Sequence, residues 1–183
     1  NRDFSRTQMS LIVVISGPGG VGKGTIVREL CERDPELVVS KSWTTRKPRA
    51  DDREDSYFFV DDETFLKHKE EEGFIEWNEF LGSMYGTPMP DANEERDLIL
   101  EIDVSGGRQI INRHPEAVLL FVDVEDSELR KRLRQRGDDV DKIEKRILEA
   151  GRERQEAKEL NYKVIFNVDL EKATREIHET ILK

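Results

Sequence analysis

The stretch Ser16-Gly17-Pro18-Gly19-Gly20-Val21-Gly22-Lys23-Gly24-Thr25 carries residue types suited to wrapping a polyphosphate. Gly17 and the pair Gly22-Lys23 have the spacing G-x4-G-K, and an apolar run precedes them, as in a P-loop. In such a loop the glycines let backbone N–H groups curl around phosphate oxygens. A helix opening at Lys23 adds the positive potential of its N-terminus, and the lysine ammonium reaches the terminal phosphates as a point charge. Gly24 stands where a magnesium-holding hydroxyl is usual, although Thr25 follows at once. The loop specifies triphosphate phosphates and leaves the acceptor open.

Three further groupings could supply the acceptor chemistry. Arg46 and Arg49 flank Pro48, and two arginines on a stiffened turn can fork onto one phosphate; a solvated basic surface run is the competing reading. Glu76 precedes Trp77 in an otherwise apolar strand. That glutamate is either an edge-strand surface residue or a half-buried carboxylate facing a pair of hydrogen-bond donors. Glu101 and Asp103 end an apolar run, where the carboxyl edge of a parallel sheet binds ligands. Farther on, a basic helix breaks at Arg136-Gly137-Asp138-Asp139 and restarts toward Arg146, as a mobile lid over a phosphate site would. Because Arg130, Arg132 and Arg134 lie close by, solvated helix faces compete with that reading. His68, His114 and His178 have no visible partners in sequence, and no Ser-His-Asp or metal-ligand cluster is evident.

These groups need elements to position them. The runs Leu11–Ser16, Leu98–Asp103, Ala117–Val122 and Val164–Val168 read as buried parallel strands. Helical patterns cover Lys23–Glu32, Val104–Arg113, Asp126–Arg136, Val140–Leu160 and Leu170–Leu182. Strands alternating with helices imply an α/β fold with a central parallel sheet covered on both faces. The segment Val38–Arg96 reads as a small mixed insertion. Its strand candidates are Val38–Ser42, Tyr57–Val60 and Phe74–Phe80, with one helix near Asp62–Glu72 and turns at Lys47-Pro48 and Tyr85-Gly86. Residues 1–9 lack an apolar pattern and read as a flexible tail, with Met9 a plausible natural start.

The chain has 183 residues, enough for one domain with a sizeable core. Its formal charge of −10 argues against nonspecific binding to nucleic acid or acidic membranes, and no apolar stretch reaches membrane-span length. Cys31 is the only cysteine, which leaves no intrachain disulfide or thiolate metal site and fits a reducing, cytoplasmic compartment.

Taken in order, Ser42-Trp43-Thr44-Thr45-Arg46-Lys47-Pro48-Arg49, Tyr57, Phe74-Ile75-Glu76-Trp77, Tyr85-Gly86-Thr87 and Leu100-Glu101-Ile102-Asp103 resemble the guanylate kinase family from about Ser10 to the C-terminus. The resemblance implies a P-loop kinase with a core (10–37, 97–129 and 160–183), a GMP-binding insertion (38–96) and a helical lid (about 130–159). It implies transfer of a phosphoryl group from ATP to GMP, and to dGMP. Gly17, Pro18, Gly19, Gly20, Val21, Gly22, Lys23, Gly24 and Thr25 then hold the ATP phosphates, with Arg132 and Asn167 near the adenine. Arg46, Arg49, Tyr57 and Tyr85 hold the GMP phosphate. Ser42, Glu76, Thr87 and Asp103 read guanine, with Glu101 beside them and the Ser42 and Thr87 hydroxyls donating to O6. Lys23, Arg46, Arg136 and Arg146 act on the transferring group. Magnesium is expected to be held mainly by phosphates and water, with Thr25 and Asp103 reaching it through water. Monomer and homodimer both remain open.

Several positions depart from the family pattern. Gly19 replaces a usual serine, the turn Ala50–Ser56 is one residue short and acidic, and Ser83-Met84 replaces Asn-Tyr. The region Pro88–Asp97 and the lid are also shortened. Two other functions compete with the kinase. One is a guanylate-kinase-like interaction module that binds phosphopeptides, which the intact loop disfavours. The other is a P-loop kinase for a phosphorylated sugar, which the guanine-reading set disfavours.

Overall fold

Strand β1 (Ile12–Ser16) is buried at every position and pairs in parallel with β7 (Asp97–Glu101) on one side and β8 (Val118–Asp123) on the other. In this computed structural model, which describes residues 10–50, 52, 57–80 and 82–183, the central sheet has the order β2-β7-β1-β8-β9. Its outer strands are β2 (Leu37–Val39) and β9 (Lys163–Phe166), and every pairing in it is parallel. The connection from β1 runs to β2 on one side of the sheet, whereas that from β7 crosses β1 to β8 on the other. The crevice beyond its carboxyl end is therefore a switch point, where ligands of open α/β sheets bind.

Side chains of β1 alternate between two apolar layers, as the two-residue period of a strand requires. Val13 and Ile15 pack with Ile26 and Leu30 of α1 (Lys23–Arg33), Leu129 and Leu133 of α4 (Asp126–Gln135) and Ile177 of α6 (Leu170–Ile181). Ile12 and Val14 pack with Val104 and Ile110 of α3 (Val104–Arg113) and with Tyr162. The long helix α5 (Val140–Glu159) gives Ile143, Ile147 and Ala150 to the first layer and Ala157 to the second.

A second sheet of order β4-β3-β6-β5 stands beside the first. It comprises β3 (Trp43–Thr44), β4 (Phe58–Phe59), β5 (Phe74–Phe80) and β6 (Ser83–Pro88), with α2 (Asp62–Glu70) packed on it through Phe65. The His68 ring stacks on Trp43 at 4.2 Å between centroids.

Two expectations change here. The segment Val38–Ser42 is not one strand: Val38 and Val39 pair with Leu98 and Ile99 of the central sheet, and a new strand starts at Trp43. Tyr85-Gly86 is not a turn but lies within β6, and the chain turns through Gly82, whose φ is 75°. Gly86 serves ring packing instead, since a Cβ there would lie 2.8 Å from the Phe74 ring. The expected tail, residues 1–9, lies outside the described residues, as does most of the acidic turn 50–56.

The break in the lid follows helix-end chemistry. Asp138 N–H reaches Leu133 O at 3.1 Å and Gly137 N–H reaches Arg134 O at 2.9 Å, a Schellman ending with Gly137 left-handed at φ 90°. Asp139 then caps α5 by accepting from Lys142 N at 2.8 Å.

Beneath the switch point, Ser16 Oγ and Tyr162 Oη share a hydrogen bond of 3.1 Å, and a Cβ on Gly107 would stand 1.7 Å from that same hydroxyl. Gly107→Ala should therefore displace the tyrosine and destabilise the fold by about 1–3 kcal/mol. Denaturant titration checks this; an unchanged midpoint would mean that Tyr162 moves aside freely.

Candidate active site

The loop leaves β1 across the face of β8. Gly17 has φ 148°, and a Cβ there would lie 2.1 Å from Val122 O, so only glycine fits. Gly22, at φ 93°, is the N-cap of α1, and the first turn of that helix holds no acid. Its N-terminal potential is thus left for an anion. Lys23, partly buried, donates from Nζ to the carbonyls of Gly17 and of Pro18, the latter at 3.0 Å. Burial pulls its ammonium below the usual lysine range, against the opposing charges of Glu101 and Glu153.

Behind the loop, Arg132 donates to Val21 O at 3.2 Å and to Asn167 O at 2.8 Å, and Asn167 Nδ2 donates to Val21 O at 2.8 Å. These two residues therefore brace the loop from outside. Thr25 lies partly buried in the first turn of α1.

Gly17 and Lys23 line one cleft of roughly 440 Å³ together with Glu76 and Tyr85 of the second sheet, Ser42 and Tyr57 just before its strands β3 and β4, and Glu101 and Asp103. Glu76 is only 5% exposed, and Thr87 Oγ1 donates to its Oε1 at 2.7 Å. The Thr87 hydroxyl is thus committed to this carboxylate, whereas the sequence suggested a donor for O6. Desolvation pushes Glu76 up to about 7, with the Thr87 bond opposing and the charge of Asp103 reinforcing.

Asp103 is the N-cap of α3. Its Oδ1 accepts from Gly106 N at 2.7 Å and its Oδ2 from Asn78 Nδ2 at 2.6 Å. Asn78 also lines the cleft, and no sequence signal distinguished it.

Arg46 forms a two-pronged pair with Asp52, at 3.0 and 2.8 Å, and its guanidinium lies 5.5 Å from the centre of the Tyr57 ring. Asp52 also accepts from Arg49 N at 2.6 Å, while the Arg49 side chain is exposed. Tyr57 and Tyr85 meet edge to face at 6.2 Å. The acidity of this turn was visible in the sequence; the pairing of Asp52 with Arg46 was not.

From the lid, Arg146 reaches the loop: a Cβ on Gly19 would lie 2.8 Å from its Nη1. Asp138 Oδ2 lies 3.1 Å from Arg146 Nε, an ion pair without hydrogen-bond geometry. Arg136 is exposed at the C-cap of α4 and its side chain has no hydrogen bond or ion pair among the described residues, so the arrangement brings one lid arginine to the loop and not the other. Glu149, Glu153 and Glu156 of α5 also face the cleft, and burial pushes Glu153 up to about 7. The neighbouring Arg154 fixes α5 to the core through Asp123 at 2.8 and 2.9 Å, Asp126 at 2.6 Å and Val124 O at 3.0 Å.

A glycine loop at the switch point of a parallel sheet, a second sheet presenting a buried carboxylate to it, and a basic helical lid define a P-loop kinase. The guanylate kinase family model matches residues 9–183. Guanylate kinases of Synechocystis sp. and of Prochlorococcus marinus subsp. pastoris are 41% and 34% identical, each over 93% of this chain and over 92% and 96% of their own lengths. That of Caldanaerobacter subterraneus subsp. tengcongensis is 37% identical over 98% of this chain and 90% of its own. The crystal structure of guanylate kinase from Anaplasma phagocytophilum superposes with a TM-score of 0.75 at 28% identity, covering 94% of this chain and 85% of that one. The chain belongs to the guanylate kinase family.

The raised Glu76 carboxyl has a thermodynamic signature. The folded state holds its proton across the window from 4.5 to about 7, where the unfolded state has already released it. Its contribution to stability therefore falls as pH rises through that window and stays low above it. Glu76→Gln should gain in melting temperature over the parent progressively across that range and hold the gain above it. Paired melting curves against pH check this; an advantage flat across the range would mean that Glu76 titrates as an ordinary carboxylate.

Proposed function

We propose that the cleft carries out ATP-dependent phosphorylation of GMP, ATP + GMP giving ADP + GDP, with the roles set out below. The observation that carries this reading is the joint lining of one cleft by Lys23 and the buried Glu76. One group suits the terminal phosphates of ATP; the other suits the paired N1–H and N2–H donors of guanine.

The ATP phosphates lie along Gly17–Thr25 at the N-terminus of α1, with Lys23 leaving its bonds to Gly17 O and Pro18 O to reach them. Arg132 and Asn167 support the loop beside the adenine side. Glu76, with Asp103, accepts from guanine, while Ser42 remains to address O6. Arg46, Arg49, Tyr57 and Tyr85 receive the GMP phosphate. That phosphate oxygen is largely anionic near neutral pH, so the transfer needs no protein base. The chain supplies alignment, exclusion of water and stabilisation of the moving charge. Arg146, and Arg136 when the lid closes, add positive charge where it develops.

Magnesium fits this donor set in a limited way. Among the described residues no three carboxylates, histidines or cysteines are grouped to ligate a metal. Glu101 Oε1 lies 3.9 Å from where a Cβ of residue 24 would be, and Thr25 follows it. Glu101, Asp103 and Thr25 would hold the ion through water while phosphate oxygens bind it directly, and bound there it would neutralise the bridging phosphates. The named contacts address base and phosphate, so dGMP is a second acceptor. Purine nucleotide metabolism in the cytoplasm is the setting this activity implies, and no described helix is long and apolar enough to cross a membrane. The phosphopeptide-binding alternative gains no support from a loop whose lysine and glycine geometry are intact.

An ADP-release assay with GMP, dGMP, AMP, CMP and UMP tests the reading: GMP and dGMP should turn over and the others fail. Equal rates with AMP would place the base elsewhere. Lys23→Ala should abolish turnover and leave calorimetric GMP affinity nearly intact.

Arg136→Ala and Arg146→Ala should each lower kcat by about a hundredfold or more with little change in either KM, because charge moves only in the transition state. Unchanged kcat in both variants would return them to solvated helix faces.

A further inference from the structure

The strand that bears Glu76 is the last of its sheet, so one side of its backbone has no neighbouring strand. Helix α3 fills that side. Gln109 Oε1 accepts from Trp77 N–H at 3.2 Å while its Nε2 donates to Trp77 O at 2.7 Å. Arg113 Nη1 donates to Ile75 O at 3.1 Å. A side-chain amide has the donor and acceptor of a peptide unit, so Gln109 pairs with Trp77 as a next strand would. Both neighbours of Glu76 in sequence are thereby tied to one helix.

The same helix begins at Asp103, the second acid facing the cleft, which holds Asn78 Nδ2 at 2.6 Å. Glu76 and Asp103 sit on separate elements, and the ties from Asp103, Gln109 and Arg113 to β5 fix their separation. On the inner side there is little slack, since a Cβ on Gly106 would lie 2.8 Å from Glu76 Oε2.

We propose that Gln109, which touches no substrate, is a positioning residue for guanine recognition: by standing in for a missing strand at Trp77 it holds the Glu76 carboxylate in register with Asp103. This rests on the reading of Glu76 as the acceptor for the guanine donors. Without Gln109 the edge strand is free to shift, and a carboxylate that must meet two adjacent donors is the group most sensitive to a small displacement. Inosine monophosphate is the same purine without the exocyclic amino group, so it has less to lose.

The test uses the whole chain with Gln109→Ala and Gln109→Glu; the second keeps an acceptor for Trp77 N–H but sets an oxygen against Trp77 O. Steady-state kinetics with GMP, inosine monophosphate and ATP are compared with melting temperatures. The KM for GMP should rise about tenfold with the KM for ATP unchanged, and the GMP-to-IMP ratio of kcat/KM should fall by a similar factor. A ratio kept at the parent value in a folded variant, whatever its melting temperature, would make Gln109 a structural strand cap and overturn the proposal. Failure of both variants to fold would do the same. A parent enzyme that does not prefer GMP over IMP would instead overturn the guanine reading of Glu76, and this inference with it.

Discussion

The close approach of Gly17 to the carbonyl of Val122 is the constraint on which the site depends. A Cβ at residue 17 would fall 2.1 Å from that oxygen, so the chain can turn off β1 against β8 only where it has no side chain. The loop then continues through left-handed conformations at Gly20 and Gly22 before entering α1. Such a backbone gives up much freedom on folding, and its surroundings offset that loss. Arg132 and Asn167 converge on Val21 O from behind, and Tyr162 holds Ser16 from below. Asn167 N–H is in turn bonded to Asp123 O, and Arg154 grips Asp123 from the lid helix. One tight turn thus links the phosphate loop, two strands and the base of the lid.

A second principle concerns how the arginines proposed to meet phosphates are held in the unliganded cleft. Arg46 is paired with Asp52 and Arg146 with Asp138, and in each pair the carboxylate side chain is largely buried, at 16% and 7% exposure. A guanidinium pre-aligned by a fixed carboxylate loses less side-chain freedom when a ligand arrives. It also exchanges or extends an existing charge-assisted contact, so ligand binding gains only the difference between the two. In a chain with a formal charge of −10, this arrangement lets a few cations act locally without a basic surface.

The parts of the molecule legible in sequence are those governed by short-range rules. The apolar runs of β1, β7 and β8, the glycine-lysine spacing and the helix break at Gly137 each carry their cause within a few residues. Trp43 and Gly86 are different. A two-residue strand has no periodicity to detect, and Gly86, which looks like turn chemistry, answers instead to the Phe74 ring. The supporting shell was hidden for the same reason. Gln109 meets Trp77 across 32 residues, and Arg154 meets Asp123 across 31. Nothing local marks either from other polar residues on amphipathic helices. Family resemblance named Glu76 and Asp103, yet the residues that orient them, Thr87 toward Glu76 and Asn78 toward Asp103, follow only from the folded geometry.

The acids around the cleft look ill-suited to a polyphosphate until their effect on Lys23 is considered. Burial alone drives Lys23 toward its neutral form, in which it could not serve as a phosphate counter-charge. Glu101 and Glu153 oppose that drift, and Lys23 in turn restrains the rise that burial imposes on Glu153. The glycine at residue 24 bears on the same balance. A Cβ there would meet Glu101 Oε1 at 3.9 Å, an ordinary contact, so the missing hydroxyl is not enforced by space. What occupies its neighbourhood is a carboxylate that can favour both a protonated lysine and a hydrated cation. In the proposed reaction, phosphates entering the cleft would act on Lys23 in the same direction as these acids, favouring its charged form against burial.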